Sequence, residues 1–225
     1  WMGDLLRLNK SFVISRTGES KKDIYANLLK ASEFIKDKLQ SGNHVWIAQK
    51  QGRSKDGLDK TDPAVLKMLH MALRKETKFE DLTDHYNIIP CSVSYEIDPL
   101  AKEKASHLQG EINKQADEDI SHIFKGVMEH KGKVSLKFAE QLQGQYSPEE
   151  LAKAIDNSIL NNYKLWDTNL YAYEFLNGEV KDSDYPHASK YFNDLRATMT
   201  NEDLKYIMTQ YANPVLALKE NNNER

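Results

Sequence analysis

His44-Val45-Trp46-Ile47-Ala48-Gln49-Lys50-Gln51-Gly52-Arg53-Ser54-Lys55-Asp56-Gly57 is an apolar run that stops abruptly in a glycine-flanked basic turn. Four apolar residues in succession, with Trp and the β-branched Val and Ile among them, predict a short buried strand. The polar stretch that follows ends the strand, because it holds two glycines and the closely spaced cations Lys50, Arg53 and Lys55. A buried strand that delivers cations and flexible backbone to its carboxyl end is a ready anion site. The plain alternative is a solvated exit from strand to loop.

Working outward, Phe12-Val13-Ile14-Ser15-Arg16 repeats the pattern as a second apolar strand ending on a cation. Between the two strands Ile24, Leu28, Ala31, Ile35 and Leu39 recur at helical spacing, with Ser20 near the start and Gly42 just past the end. Residues 12–48 therefore read as a β-α-β unit, which implies parallel strands and a right-handed crossover. Asp62-Pro63 opens a further helix, with Asp as N-cap and Pro at the first helical position. Ile88-Ile89-Pro90-Cys91-Ser92-Val93-Ser94-Tyr95-Glu96 reads as another strand, with Pro90 confined to its head or to an edge. Residues 133–138 alternate apolar with polar, as a half-buried strand does.

From Ser147-Pro148-Glu149-Glu150, a capping box, nearly everything is helical. Tyr163, Tyr171, Tyr173, Phe175, Tyr191 and Phe192 recur on helical faces there and are expected to pack a core. The expected fold class is α/β: a β-α-β core with a mostly parallel sheet over residues 1–145, and an all-helical carboxyl-terminal extension over 146–225.

With 40% hydrophobic and 29% charged residues and a mean hydropathy of -0.69, the 225-residue chain describes a polar globular protein with no apolar run of membrane-spanning length. The expected location is cytoplasmic, or peripheral on the cytoplasmic face of a membrane. The single cysteine, Cys91, excludes an internal disulfide framework and a multi-cysteine zinc site. The seven histidines are scattered without ligand spacing, so no metal is expected. The net charge of -3 conceals an asymmetry: residues 1–80 hold 16 Lys and Arg against 10 Asp and Glu, a balance of +6, and the remainder carries -9. A basic first third followed by an acidic remainder favours phosphate, a phosphorylated small molecule or an anionic lipid surface over a nucleic acid. No G-x-x-x-x-G-K-[ST], G-x-G-x-x-G, G-x-S-x-G or H-E-x-x-H is present.

Three stretches taken in order resemble the glycerophospholipid acyltransferases, the family of glycerol-3-phosphate and lysophosphatidate acyltransferases. Leu8 to Arg16 is similar to that family's second block, an apolar strand ending in Arg. Val45 to Ser54 resembles its third block, an apolar strand followed by Pro-Glu-Gly-(Thr/Gly)-Arg-Ser. Ile88 to Glu96 resembles its fourth, an apolar strand with a proline at its head. The resemblance covers residues 1–100 and implies transfer of a fatty acyl group from acyl-CoA or acyl-carrier protein to the hydroxyl of a glycerol-phosphate or lysophospholipid acceptor.

The resemblance also implies roles. Arg53 and Arg16 would clamp the acceptor phosphate, guanidinium forks being suited to bidentate phosphate contact. Lys50 and Lys55 would add charge, Gln51, Gly52 and Ser54 would shape the turn, and Pro90 would be structural. No bound cofactor is expected, because the acyl thioester is itself a substrate. The family's first block, His-x-x-x-x-Asp, supplies the general base on the acceptor hydroxyl, and no His of this chain has Asp five residues later. The third block's Glu is also replaced, by Lys50 or Gln51. The base is expected to lie upstream of Trp1, in a longer natural protein. The rival expectation is a non-catalytic protein of acyltransferase-like fold that binds an anionic lipid or a protein partner through its basic third.

Overall fold

A computed structural model of the chain describes residues 11–12, 20–49, 54–108 and 118–223. Helix α1 (Lys21–Gln40) begins where the sequence places it. The Asp23 backbone N–H donates to Ser20 Oγ at 3.2 Å, while the Ser20 N–H donates back to Asp23 Oδ2 at 3.0 Å. Two donors that a helix start leaves orphaned are satisfied reciprocally. Helix α2 (Pro63–His70) starts on Asp62, whose Oδ1 accepts from the Ala64 N–H at 2.9 Å, and it buries Val65, Leu66, Met68 and Leu69. A 3-10 turn, Met71–Leu73, follows it directly, and a second one, Phe79–Asp81, leads into the short helix α3 (Leu82–His85). Ser32 joins α1 to this group. Its hydroxyl donates to the Leu69 carbonyl at 3.1 Å and accepts from the Ala72 N–H at 2.9 Å.

Strand β1 (Cys91–Tyr95) is followed by helices α4 (Ala101–Leu108) and α5 (Glu118–Met128) and by strand β2 (Val134–Phe138). The two strands pair antiparallel, with Cys91 opposite Phe138 and Tyr95 opposite Val134. Helix α6 (Pro148–Asn161) opens on the expected capping box, the Ser147 N–H donating to Glu150 Oε2 at 2.8 Å and the Glu150 N–H to Ser147 Oγ at 3.3 Å. Helices α7 (Asp167–Asn177), α8 (Pro186–Arg196) and α9 (Asn201–Asn223) complete the described chain.

The expected mostly parallel β-α-β core is corrected by this architecture. Among the described residues the sheet is one antiparallel pair, and helices dominate. Val45-Trp46-Ile47-Ala48 takes no strand conformation, and Trp46 is 66% exposed. A four-residue apolar run reads alike whether or not a partner strand exists, and only the partner makes it a strand. Residues 91–95 and 134–138 have each other, and antiparallel pairing needs no crossover helix. Of the other expected strand, residues 13–16 lie outside the described residues, while Phe12 stands 4.8 Å from the Phe34 ring.

The described residues group into two compact units. One draws on Trp1–Gly52, Lys60–Ile89 and Glu140–Asp156, the other on Arg53–Asp59, Pro90–Ala139 and Asn157–Arg225. In the first, Ile35, Leu66, Leu82 and Leu151 are among the most deeply buried side chains. The second is built round α9, which packs on α4, α7 and α8. Its core includes Tyr171, Phe192, Ile207, Met208 and Tyr211. Phe192 stacks on Tyr171 at 5.4 Å and meets Tyr211 edge-on at 5.3 Å. Complete burial of a ring such as Phe192 stabilises the unit by about 2–3 kcal/mol. Among the described residues no helix is long and apolar enough to cross a membrane.

Candidate functional site

Of the residues expected to form the phosphate clamp, Arg16, Lys50, Gln51, Gly52 and Arg53 lie outside the described residues. The remainder of the basic turn has a defined conformation. Ser54 Oγ donates to the Leu58 carbonyl at 2.8 Å, and the Leu58 N–H donates to Asp56 Oδ1 at 3.2 Å. Short side chains of this kind mimic backbone turns and hold them. Lys55 stands exposed at the tip.

The turn is fixed within its unit by α9. Asn213 Nδ2 donates to the Asp56 carbonyl at 2.7 Å, and Gly57, at φ +80°, lies against the backbone of Gln210. The cause lies in α9 itself. Pro214 has no N–H to offer the carbonyl four residues earlier, which is that of Gln210. The freed oxygen is where the glycine approaches, and no side chain would fit between them. Tyr163 adds electrostatic detail to the same unit: its pKa is pushed up to about 12, first by burial and then by the charges of Asp59 and Asp98.

Pro90 is buried immediately before β1, and its carbonyl accepts from the Ala139 N–H at 2.9 Å. It heads the strand without being asked for a donor it lacks. Burial also raises the pKa of the neighbouring Cys91 thiol. In the first unit, the Asp62 N–H donates to the Gln49 carbonyl at 2.8 Å and the Thr61 N–H to Asp156 Oδ1 at 2.7 Å.

The first unit also holds an open groove of about 520 Å³, with Ile24, Tyr25 and Leu28 of α1 facing Met68 of α2 and Phe79. Cations stand at its margin. Arg74 lies over the Tyr25 ring at 5.5 Å and donates to its hydroxyl at 2.6 Å, while Lys67 pairs with Glu149 at 2.9 Å. The Lys67 hydrogen bond holds the Glu149 carboxyl below the usual carboxylate range. An apolar floor with a cationic margin suits an amphiphile with an acidic head.

Sequence reasoning missed this groove and the seat of the basic turn on α9. A proline inside an otherwise helical run, at 214, was the available pointer to the freed carbonyl. Nothing in the spacing of Tyr25 and Arg74 marks them as neighbours. Among the described residues no group of three or more His, Cys, Asp or Glu side chains is placed to hold a metal ion. Comparison with family models, curated proteins and solved structures yields no match, so the functional reading rests on this chain's own residues.

Proposed function

We propose that this chain carries the acceptor-phosphate side of a glycerolipid acyltransferase. The reaction moves a fatty acyl group from acyl-CoA or acyl-carrier protein to the hydroxyl of a glycerol-phosphate or lysophospholipid acceptor, at the cytoplasmic face of a membrane. The parallel core expected from the β-α-β pattern of residues 12–48 is not what forms, so the reading stands on the individual blocks of the resemblance. The observation that carries it is the fourth block: Pro90 stands at the head of β1, the position at which the resembling block has its proline. The seat of residues 54–59 on α9 supports it further, since a clamp works best when its backbone is fixed before the ligand arrives. Arg53 is the principal phosphate contact in this reading, assisted by Lys50, Lys55 and Arg16.

The test is titration of the chain with glycerol 3-phosphate and, separately, with glycerol, followed by calorimetry or amide chemical shifts. Glycerol 3-phosphate is expected to bind and glycerol not to bind. Arg53→Ala should weaken binding by about tenfold, the worth of one charge-assisted contact. Equal response to the two ligands, or an unaffected R53A, sinks the reading. A second reading, a non-catalytic protein that binds anionic lipid, is favoured by the cation-edged groove of the first unit. Acyl transfer by the natural protein separates the two.

A further inference from the structure

The groove of the first unit carries charge of one sign. Lys21, Ile24, Tyr25 and Leu28 share one stripe of α1, and Met68 and Met71 line the groove with them. Its charged lining residues are Lys21, Lys67 and Arg74, and among the described residues no Asp or Glu lines it. The acids of the same stretches are engaged elsewhere. Asp23 caps α1 through Ser20, Glu76 pairs with Lys36, Glu149 pairs with Lys67, and Glu150 accepts from the Ser147 N–H. Counted whole, residues 21–28, 64–79 and 148–150 hold six Lys and Arg against four Asp and Glu, a balance of +2. Glu149 neutralises Lys67, so the lining cations without an acidic partner among the described residues are Lys21 and Arg74.

Arg74 is fixed before any ligand arrives. Its guanidinium lies 5.5 Å from the centre of the Tyr25 ring, and Nη2 donates to the Tyr25 hydroxyl at 2.6 Å. The remaining donors of the fork are left for two acceptor oxygens, which a carboxylate presents in matching geometry. Lys21 stands one helical turn from Tyr25 on the same stripe, so both cations belong to one end of the groove. Beyond them the floor is aliphatic and thioether, and unbranched methionines adapt to a flexible chain. The polar liners on the way are already bonded, the Tyr25 hydroxyl to Arg74 and His70 Nε2 to the Thr77 carbonyl at 2.9 Å.

Size separates a small ligand from a protein partner. The groove encloses about 520 Å³ and is lined by 12 residues. That volume is typical of a small-molecule site, whereas a stable protein interface engages about 20–30 residues a side. The geometry points to a single-chain fatty carboxylate as the ligand, its head on Arg74 and Lys21 and its chain along Ile24, Leu28, Met68 and Met71. Opposite charge at the head and an apolar floor under the chain are both required of such a site, and both are present. The inference goes beyond the acyltransferase reading and does not rest on it, since residues of the first unit alone line the groove.

The experiment is titration of the full chain with dodecanoate, octanoate and dodecylammonium, read by calorimetry and by the methyl resonances of the methionines. Dodecanoate should bind and shift Met68 and Met71, while dodecylammonium, with the same chain and the opposite charge, should not. Four further methylenes should tighten binding at least about tenfold from octanoate to dodecanoate, since each one fully buried is worth about fourfold. Arg74→Met keeps the apolar stem and removes the fork, and should weaken dodecanoate by about tenfold. Arg74 is exposed, so an unchanged thermal unfolding curve shows that the variant folds. Equal binding of the two head groups overturns the proposal, as does indifference to chain length or to Arg74→Met. Shifts confined to Met128, which is 80% exposed on α5, would place the amphiphile on another surface and also overturn it. Dodecanoate binding without affinity for glycerol 3-phosphate would keep this site and remove the acyltransferase reading. The converse would do the reverse.

Discussion

Gly57 and Gln210 meet backbone to backbone: a Cβ built on Gly57 would lie 2.0 Å from the Gln210 carbonyl oxygen. Gly42 has nearly the same backbone angle, φ +77° against +80°, but nothing within 4 Å of its own Cβ position. The pair therefore separates backbone strain from contact. Gly42→Ala should cost about 1 kcal/mol, the left-handed penalty alone. Gly57→Ala should cost about 3 kcal/mol, since the turn must also leave its seat. Chemical denaturation of the two variants measures the difference, and equal costs would mean that the seat on α9 contributes nothing.

Tyr211 accepts the Asp98 backbone N–H on its hydroxyl at 2.7 Å and lies 3.2 Å from the Tyr191 hydroxyl. Replacement by Phe keeps the ring contacts with Phe192 and removes both hydrogen bonds. Tyr211→Phe is expected to lose about 1–3 kcal/mol, because the Asp98 amide is left without its acceptor. Faster exchange of that single amide, read by hydrogen–deuterium exchange, should accompany the loss. An Asp98 amide as protected as before would count against the assignment.

Alkaline pH should unfold the second unit. Burial pushes Tyr191 up to about 12, and burial followed by Asp59 and Asp98 does the same for Tyr163. In the unfolded chain both titrate near 10. Between these values the unfolded state releases protons that the folded state retains, so stability falls as pH rises. The contribution is intact below about pH 10 and is lost progressively towards pH 12, by about 2–3 kcal/mol for each tyrosine. Denaturation midpoints across this window, with Tyr163→Phe and Tyr191→Phe as controls, read the slope. The control variants should flatten it.

In the first unit Ser32 is fully buried and bonds both the Leu69 carbonyl and the Ala72 N–H. Ser32→Ala removes both partners at once and should cost about 1–3 kcal/mol. A thermal shift smaller than that of an exposed control such as Ser41→Ala would show that the 3-10 turn after α2 holds without it.

Local signals were legible wherever a residue acts on its own neighbours. Ser20, Asp62 and Ser147 each announce a helix start, and the structure places α1, α2 and α6 directly behind them. Residues 91–95 and 134–138 were legible as strands for the same reason, since β-branched and aromatic residues alternate there. What was not legible is pairing. The order of strand, helix and strand suggested a crossover, yet among the described residues Val45 to Ala48 have no partner strand and Trp46 is left in solvent. The site divides in the same way. Ser54 to Gly57 forms a defined turn, as its composition announces, but its seat depends on Gln210 and Asn213 more than 150 positions away. Periodicity carries no information over that distance.

The two-stranded sheet bears on how this protein behaves in concentrated solution. Val134-Ser135-Leu136-Lys137-Phe138 is a short, β-prone segment of the kind that stacks into cross-β aggregates once its edge is free. Lys137 is the only charge within it, and it is exposed. A lone lysine in an otherwise fibre-competent strand acts as a gatekeeper, since stacked copies would bring like charges into register. Lys137→Val should leave the folded unit intact and shorten the time the protein stays clear on the bench, a difference that thioflavin fluorescence and light scattering would follow directly.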